Sequence, residues 1–304
     1  MIPVDPDTTA LATYYDRPIL KQPVWIWSVP AYFYVGGVAG AALVLGAVAQ
    51  LTGDPELRPL VRTCRSIGAA GHVIGSALLI HDLGRPSRFF HMLRVFNLKS
   101  PLSIGSWILA AGGIASGLAA TAPERKRIGR MIGNIGGLAA GTLGIPLAGY
   151  TGVLLSTTAV PVWYKSQRYL PVLFVSSAVA SCASLFEMLE LSPRETRIAH
   201  RFGAIGKAAE LVLMTAVESD LSTDSVTAQP LRSGISGALW TASKVLTVAS
   251  LAVSLMPGQS RRTRVAGVLG TMAGIGLRFA VFYAGFSSAR DPRAASGGIG
   301  NENT

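Results

Sequence analysis

Cysteine is almost missing from this chain. Cys64 and Cys182 are the only two in 304 residues, and neither belongs to a Cys-x-x-Cys pair. A thiolate-held iron–sulfur cluster or a structural zinc therefore cannot be assembled from this chain by itself. Both cysteines read as small packing groups. Charge is scarce too: 14% of residues are charged, with 16 acidic against 27 Lys and Arg. Only four histidines occur, His72, His81, His91 and His200, and any haem ligation would have to come from them. The first 24 residues are polar and proline-punctuated and lack the apolar core of a cleavable signal peptide.

Apolar residues and glycine fill the space. Half the residues are hydrophobic, the mean hydropathy is +0.43, and 34 glycines are spread through apolar runs. Glycine is habitual in transmembrane helices and costly in soluble ones. The chain reads as an integral membrane protein. Its net charge of +11 does not point to nucleic acid, because the basic residues cluster at the ends of apolar segments as topology signals do. Anionic membrane lipid or an acidic partner surface is the natural counterpart.

Windows of about 20 apolar residues fall at 26–51, 59–81, 102–122, 131–155, 169–190, 195–218, 233–256 and 264–286. The expected fold is an all-α integral membrane protein, a bundle of eight transmembrane helices with a short amphipathic surface helix after the second span. It divides into a polar N-terminal segment (1–25), a four-helix half (26–156), a second four-helix half (157–286) and a disordered tail (287–304). The densest short Lys/Arg clusters, around 125–130 and 194–201, mark the cytoplasmic side. Both termini and the loops near 85–99 and 156–168 then face outward.

Between the second and third apolar runs lies the most informative stretch, His81 to Pro101. Gly84 and Pro86 break the incoming helix. Phe89, Phe90, Leu93 and Phe96 then fall at helical spacing opposite Arg88 and Arg94. This predicts an amphipathic helix on the membrane surface. It is either a solvated connector or a docking ledge for a partner, with Arg85, Arg88, Phe89, Arg94 and, from the 156–168 loop, Trp163 as contacts.

Several polar groups sit inside the apolar runs. Ser28 and Tyr32 are four apart on one helical face, Tyr34 lies close by, and a buried phenol wants a hydrogen-bond partner. A flat dicarbonyl ligand such as a quinone needs aromatic walls and one or two such donors. His72 is mid-segment, where ionisable groups are expensive; it reads as a packing histidine, a quinone hydrogen-bond donor, a proton relay or a haem ligand. Asp82 either pairs with Arg85 or Arg88 or passes protons to bulk water. Tyr150 stands beside a predicted kink at Pro146. In the second half, Lys207 and Glu210 are spaced for an i,i+3 pair. With Glu187, Lys244 and Arg278 they form either a structural salt-bridge network or a proton path.

Four motifs together resemble the NrfD/PsrC family of polysulfide-reductase-type, quinone-interacting membrane anchors. They are Trp25-x-Trp-x-x-Pro-x-Tyr-Phe-x-x-Gly-Gly-x-Ala-Gly40, Asp82-Leu-Gly-Arg-Pro-x-Arg-Phe89, Ser100-Pro-x-Ser-x-Gly-Ser-Trp107, and Tyr150-Thr-Gly-Val-Leu-Leu155 running into Ala159-Val-Pro-Val-Trp163. The resemblance implies eight helices without haem and a quinone (menaquinone or ubiquinone) pocket in the first four, near the outer face. It also implies an iron–sulfur subunit docked on that face, with a molybdopterin catalytic subunit beyond it. Carried over, the ligands fall on Ser28, Tyr32 and Tyr150. The histidine or asparagine such proteins carry on the first helix is absent, and His72 and Asp82 are the candidates to replace it. The expected function is the quinone-reactive anchor subunit of a respiratory oxidoreductase in the cell's inner membrane. A cytochrome b-type haem anchor, for which only His72 with His200 could form an axial pair, and a membrane transporter are the alternatives.

Overall fold

Proline and serine set where the helices begin. Ser100 Oγ accepts from the backbone N–H of Ser103, and Pro101 takes the first turn of the helix that follows. Ser192 and Glu195 form a complete capping box ahead of Pro193. At the other kind of boundary, the second helix stops at Gly84, whose φ of +68° is a left-handed conformation suited to glycine.

The structure is a computed structural model and describes residue 20 and residues 23–94, 96–97, 99–123, 125–256 and 260–295. The helices are α1 (Ser28–Leu51), α2 (Arg58–Leu83), α3 (Pro86–Met92), α4 (Pro101–Thr121), α5 (Arg127–Ser156) and α6 (Pro161–Lys165). They continue as α7 (Leu170–Glu187), α8 (Pro193–Leu221), α9 (Ser225–Arg232), α10 (Gly234–Leu255), α11 (Ser260–Arg290) and α12 (Pro292–Ala295). Among the described residues there is no strand. The chain is an all-helical, multi-pass membrane protein.

Eight of these helices are long, and seven are apolar enough to cross a membrane. The eighth, α8, falls short because charge lies along it, including Lys207 and Glu210. Its 29 residues nevertheless span about 43 Å at 1.5 Å per residue. It lies against α7 and α10, with Gly203 against Ala183 and Gly206 against Val179 and Ala180.

Helix α1 is the centre of the bundle, packing on α2, α5, α7 and α11. Its approach to α5 depends on glycine: a Cβ on Gly40 would stand 2.6 Å from the Gly144 carbonyl oxygen and 2.9 Å from the Ala148 nitrogen. Such small-residue seams let helix backbones meet in lipid. In the second half α10 packs along α11, and α7 bridges α8 to α11.

Two ends of the bundle result. One carries α3, α6 and α9 and is called the ledge end here. The other gathers the clustered arginines.

Some sequence expectations change. The surface helix is only seven residues long; Leu93 and Arg94 already lie in the turn that follows. Phe89 is half-buried against the main core while Phe90 is 67% exposed, so the aromatics do not share a face. Helix α11 continues to Arg290 and α12 follows, where a disordered tail was expected from 287. Residues 296–304, and most of the segment 1–25, lie outside the described residues.

Candidate functional site

Helix α4 carries glycine at 105 and 112, seven residues apart and so on one face. Each glycine receives a polar side chain. A Cβ on Gly105 would fall 1.9 Å from Cζ of Tyr150, so the phenol ring lies directly on the α4 backbone. A Cβ on Gly112 would come within 2.6 Å of His72 Nε2. Tyr32 approaches from α1, its ring 3.4 Å from the position a Cβ would take on Gly75 of α2.

All three side chains are buried: Tyr32 is 4% exposed, Tyr150 8% and His72 4%. Tyr32 and Tyr150 lie within electrostatic reach of each other. Ser28 Oγ, one turn before Tyr32 on the same face, is buried without a hydrogen-bond partner among the described residues.

The tautomer of His72 follows from its neighbours. Its Nδ1 lies 2.8 Å from the Gly68 carbonyl oxygen, which can only accept, so Nδ1 carries the proton. Ser116 Oγ, 3.3 Å from the same nitrogen, lies 3.2 Å from the Gly113 carbonyl, to which it donates. Nε2 of the neutral ring is then a buried acceptor with no donor among the described residues. Gly105 and Gly112 also set the spacing, since seven residues of helix place Tyr150 and His72 about 10 Å apart along the axis. The site is therefore a descending series: Tyr150 nearest the ledge end, Tyr32 beside it, His72 and Ser116 deeper.

The ledge covers this series. Phe89 packs on the core cluster that contains Tyr32 and Tyr150. Asp82 Oδ1 accepts the backbone N–H of Ile26 at 3.1 Å, tying the end of α2 to the start of α1. Neither expected pairing, with Arg85 or with Arg88, is its role. Arg88 instead lies 3.4 Å from the Leu83 carbonyl, and Arg85 and Arg94 are exposed. Trp163 is not a docking contact: it is fully buried, donates its indole N–H to Val281 O at 2.8 Å, and presses against Gly285. It stacks on Trp25 at 5.9 Å beside an apolar cavity of about 320 Å³ at the ledge end.

Tyr34 leaves the group. Two residues from Tyr32, it points to the other side of α1, where its ring faces Gly274 of α11. There it meets the polar set of the second half. Lys207 Nζ lies 2.9 Å from both carboxylate oxygens of Glu187, and the two side chains are 1% exposed. The expected Lys207–Glu210 pair does not form. Glu210, 1% exposed, instead accepts from Thr247 Oγ1 at 3.0 Å.

Arg278 is also 1% exposed. It donates to the Phe174 carbonyl at 2.8 Å and lies over the Phe174 ring at 3.9 Å. Its Nε and Nη1 have no acceptor among the described residues, and Glu210 and Tyr34 are its electrostatic neighbours. Lys244 stands apart, half-exposed and paired with Glu218 at 2.6 Å. His200 lies near Glu187 with Nε2 buried.

Sequence pattern assigned no site role to Gly105, present only as a motif position, to Gly112, a packing glycine, or to Ser116, Thr247 and Phe174. The heptad spacing of the two α4 glycines, with Ser116 four residues on, is the signal that could have found the first three.

A helical, multi-pass membrane bundle with a buried phenol–imidazole series near one end is the class these features define. The family model described as "Polysulphide reductase, NrfD" matches residues 18–288. The chain belongs to the NrfD/polysulphide reductase family. It is also similar to Protein NrfD of Escherichia coli (strain K12), at 24% identity over 313 residues, covering 86% of this chain and 95% of that protein.

Proposed function

We propose that this chain is the quinone-reactive membrane anchor of a respiratory oxidoreductase, exchanging electrons and protons between a menaquinone or ubiquinone and an iron–sulfur subunit docked on the ledge. A molybdopterin catalytic subunit would lie beyond that partner. The observation that carries this reading is the pairing of Tyr150 and Tyr32 over glycine backbone at the ledge end, with an unprotonated imidazole nitrogen behind them.

The donor set fits a quinone head. Two phenol O–H groups and Ser28 Oγ suit carbonyl oxygens, and the aromatic side chains suit a flat ring. A bound quinone supplies two-electron, two-proton chemistry. Tyr150 and Tyr32 hold and orient the ring. His72 Nε2 is the buried base that would exchange a proton with a bound quinone, while Gly68 and Ser116 hold the opposite nitrogen protonated and the ring oriented. Asp82 Oδ1 accepts the Ile26 N–H and ties α2 to α1 at the mouth of the site, where its carboxylate would pass protons to and from bulk water.

For the second half we propose a proton path through Glu187, Lys207, Glu210 and Arg278, with Tyr34 as its link to α1. Lys244 is outside it. We place the ledge and both termini on the outer side of the inner membrane, with the arginine-rich end in the cytoplasm.

A haem anchor is disfavoured by geometry. His72 faces the backbone of Gly112, and His200 lies on α8, which makes no extensive contact with α2. With His72 turned to α4 and His200 beside Glu187 of α7, their placement favours the haem-free reading.

The decisive experiment is a mild-detergent pull-down of the tagged chain, with an absorption spectrum and quinone extraction on the same sample. A co-purifying multi-cluster iron–sulfur protein, bound quinone and no haem band from this chain is the expected result. A lone chain with a haem band would replace this reading with the cytochrome one. A lone, colourless chain catalysing solute flux would make it a transporter.

A further inference from the structure

The arginine-rich end contains a cavity that the quinone reading does not use. It measures about 220 Å³ and opens among the last turn of α1, the first turns of α2 and the first turns of α5. Arg58, Arg62, Arg65 and Arg130 line it, with Gln50 and Asn134. Helices α2 and α5 make no extensive contact, and Arg65 fills the gap between them. It donates to Gln50 Oε1 at 2.8 Å and Asn134 Oδ1 at 3.0 Å, with its head 3.5 Å from the Ala119 carbonyl. These contacts fix the Arg65 guanidinium, 7% exposed, at the floor of the cavity.

Among the described residues that line it, the one carboxylate is Asp54, which is engaged with groups outside the lining. Asp54 pairs with Arg194 and accepts the backbone N–H of Glu56 at 3.0 Å. Arg58 and Arg130 reach the cavity from the exposed rim. Glycine keeps the wall open, because side chains at Gly133 would meet Arg65 and Ala122. Apolar side chains sit within two residues of the lining: Leu51 is 72% exposed, Ile128 68% and Met131 56%.

We infer that this cavity binds the phosphate of an anionic phospholipid, its acyl chains lying on the exposed apolar surface of α1 and α5. Guanidinium groups match phosphate oxygens in charge and in fork geometry. A cavity of this size is below the ~300–1,000 Å³ that encloses a whole small ligand and suits a headgroup. Basic pockets between transmembrane helices take lipid headgroups in this way. The inference is independent of the quinone site, which lies at the other end.

The test uses the full chain in nanodiscs of phosphatidylcholine, with increasing phosphatidylglycerol, read by thermal unfolding and by retained lipid in native mass spectrometry. Wild type should gain stability with phosphatidylglycerol and retain it. The Arg58→Gln/Arg130→Gln variant changes two exposed rim residues and should bind it roughly 30-fold more weakly, from about 1 kcal/mol per arginine. Arg125→Gln/Arg261→Gln removes the same charge from this end outside the cavity and should leave binding unchanged. Equal losses in the two variants would mean diffuse attraction and overturn the site. Millimolar inorganic phosphate giving the full stabilisation in phosphatidylcholine alone would overturn the lipid assignment in favour of a soluble phosphate ligand.

Discussion

Single side chains divide the work inside this bundle. Tyr150 and His72 are two turns apart along α4, so their substitutions should separate. Tyr150→Phe keeps the ring on Gly105 and removes one hydrogen bond; it should weaken quinone binding and turnover by up to about tenfold. His72→Ala should leave quinone bound but slow turnover on the order of 10²-fold, the usual contribution of a positioned base. Both should leave the complex assembled on a size-exclusion column, and unchanged quinone kinetics in the two would remove the site. The Glu187–Lys207 pair offers a different test. Lys207→Met strands a buried carboxylate and should cost about 3–5 kcal/mol in detergent unfolding. Adding Glu187→Gln to it should restore most of that stability. A double variant as unstable as the single one would mean the charges matter beyond pairing.

At the scale of elements, two joints can be probed. Gly40→Ala forces a methyl against α5 backbone, which cannot yield as a flexible side chain would. About 1–3 kcal/mol should be lost, read as a lower unfolding midpoint. At the ledge end, Asp224 caps α9 through the N–H groups of Val226 and Thr227 and pairs with Lys165 of α6. The Lys165 ammonium and the Thr227 hydroxyl pull its pKa down to about 2. A depressed carboxylate stabilises the fold above its ordinary pKa near 4 and loses that contribution as pH falls through its folded value. The stability gap between wild type and Asp224→Asn should therefore be full above about pH 4 and closed near pH 2. A gap independent of pH would show that shape, not charge, holds α9.

For the whole molecule, the orientation can be read with thiols. Cys64 and Cys182 are fully buried, so the background is silent. A Ser87→Cys variant should react with an impermeant maleimide on intact spheroplasts, and Arg125→Cys only after lysis. The reverse pattern would invert the assigned topology and place the ledge in the cytoplasm.

Much of this architecture was legible as one-dimensional pattern. Apolar length, proline starts and glycine seams are local properties, which is why the spans and the brief surface helix could be located. The resemblance in residues 25–163 likewise rested on contiguous motifs. Partnership was not legible. Lys207 and Glu210 share a helix face, yet Lys207 turns to Glu187 on α7 because two antiparallel helices bring them to one level. Tyr32 and Tyr34 are neighbours in sequence but serve opposite sides of α1, since 3.6 residues per turn separates them by more than half a circle. Trp163 read as a docking contact from the 156–168 loop, yet α11 closes over it. Sequence by itself determined that this is a helical membrane protein of the NrfD kind, because hydropathy and motif are written along the chain. Only tertiary structure decided which buried polar groups meet, because that depends on the level and rotation at which helices distant in sequence pack.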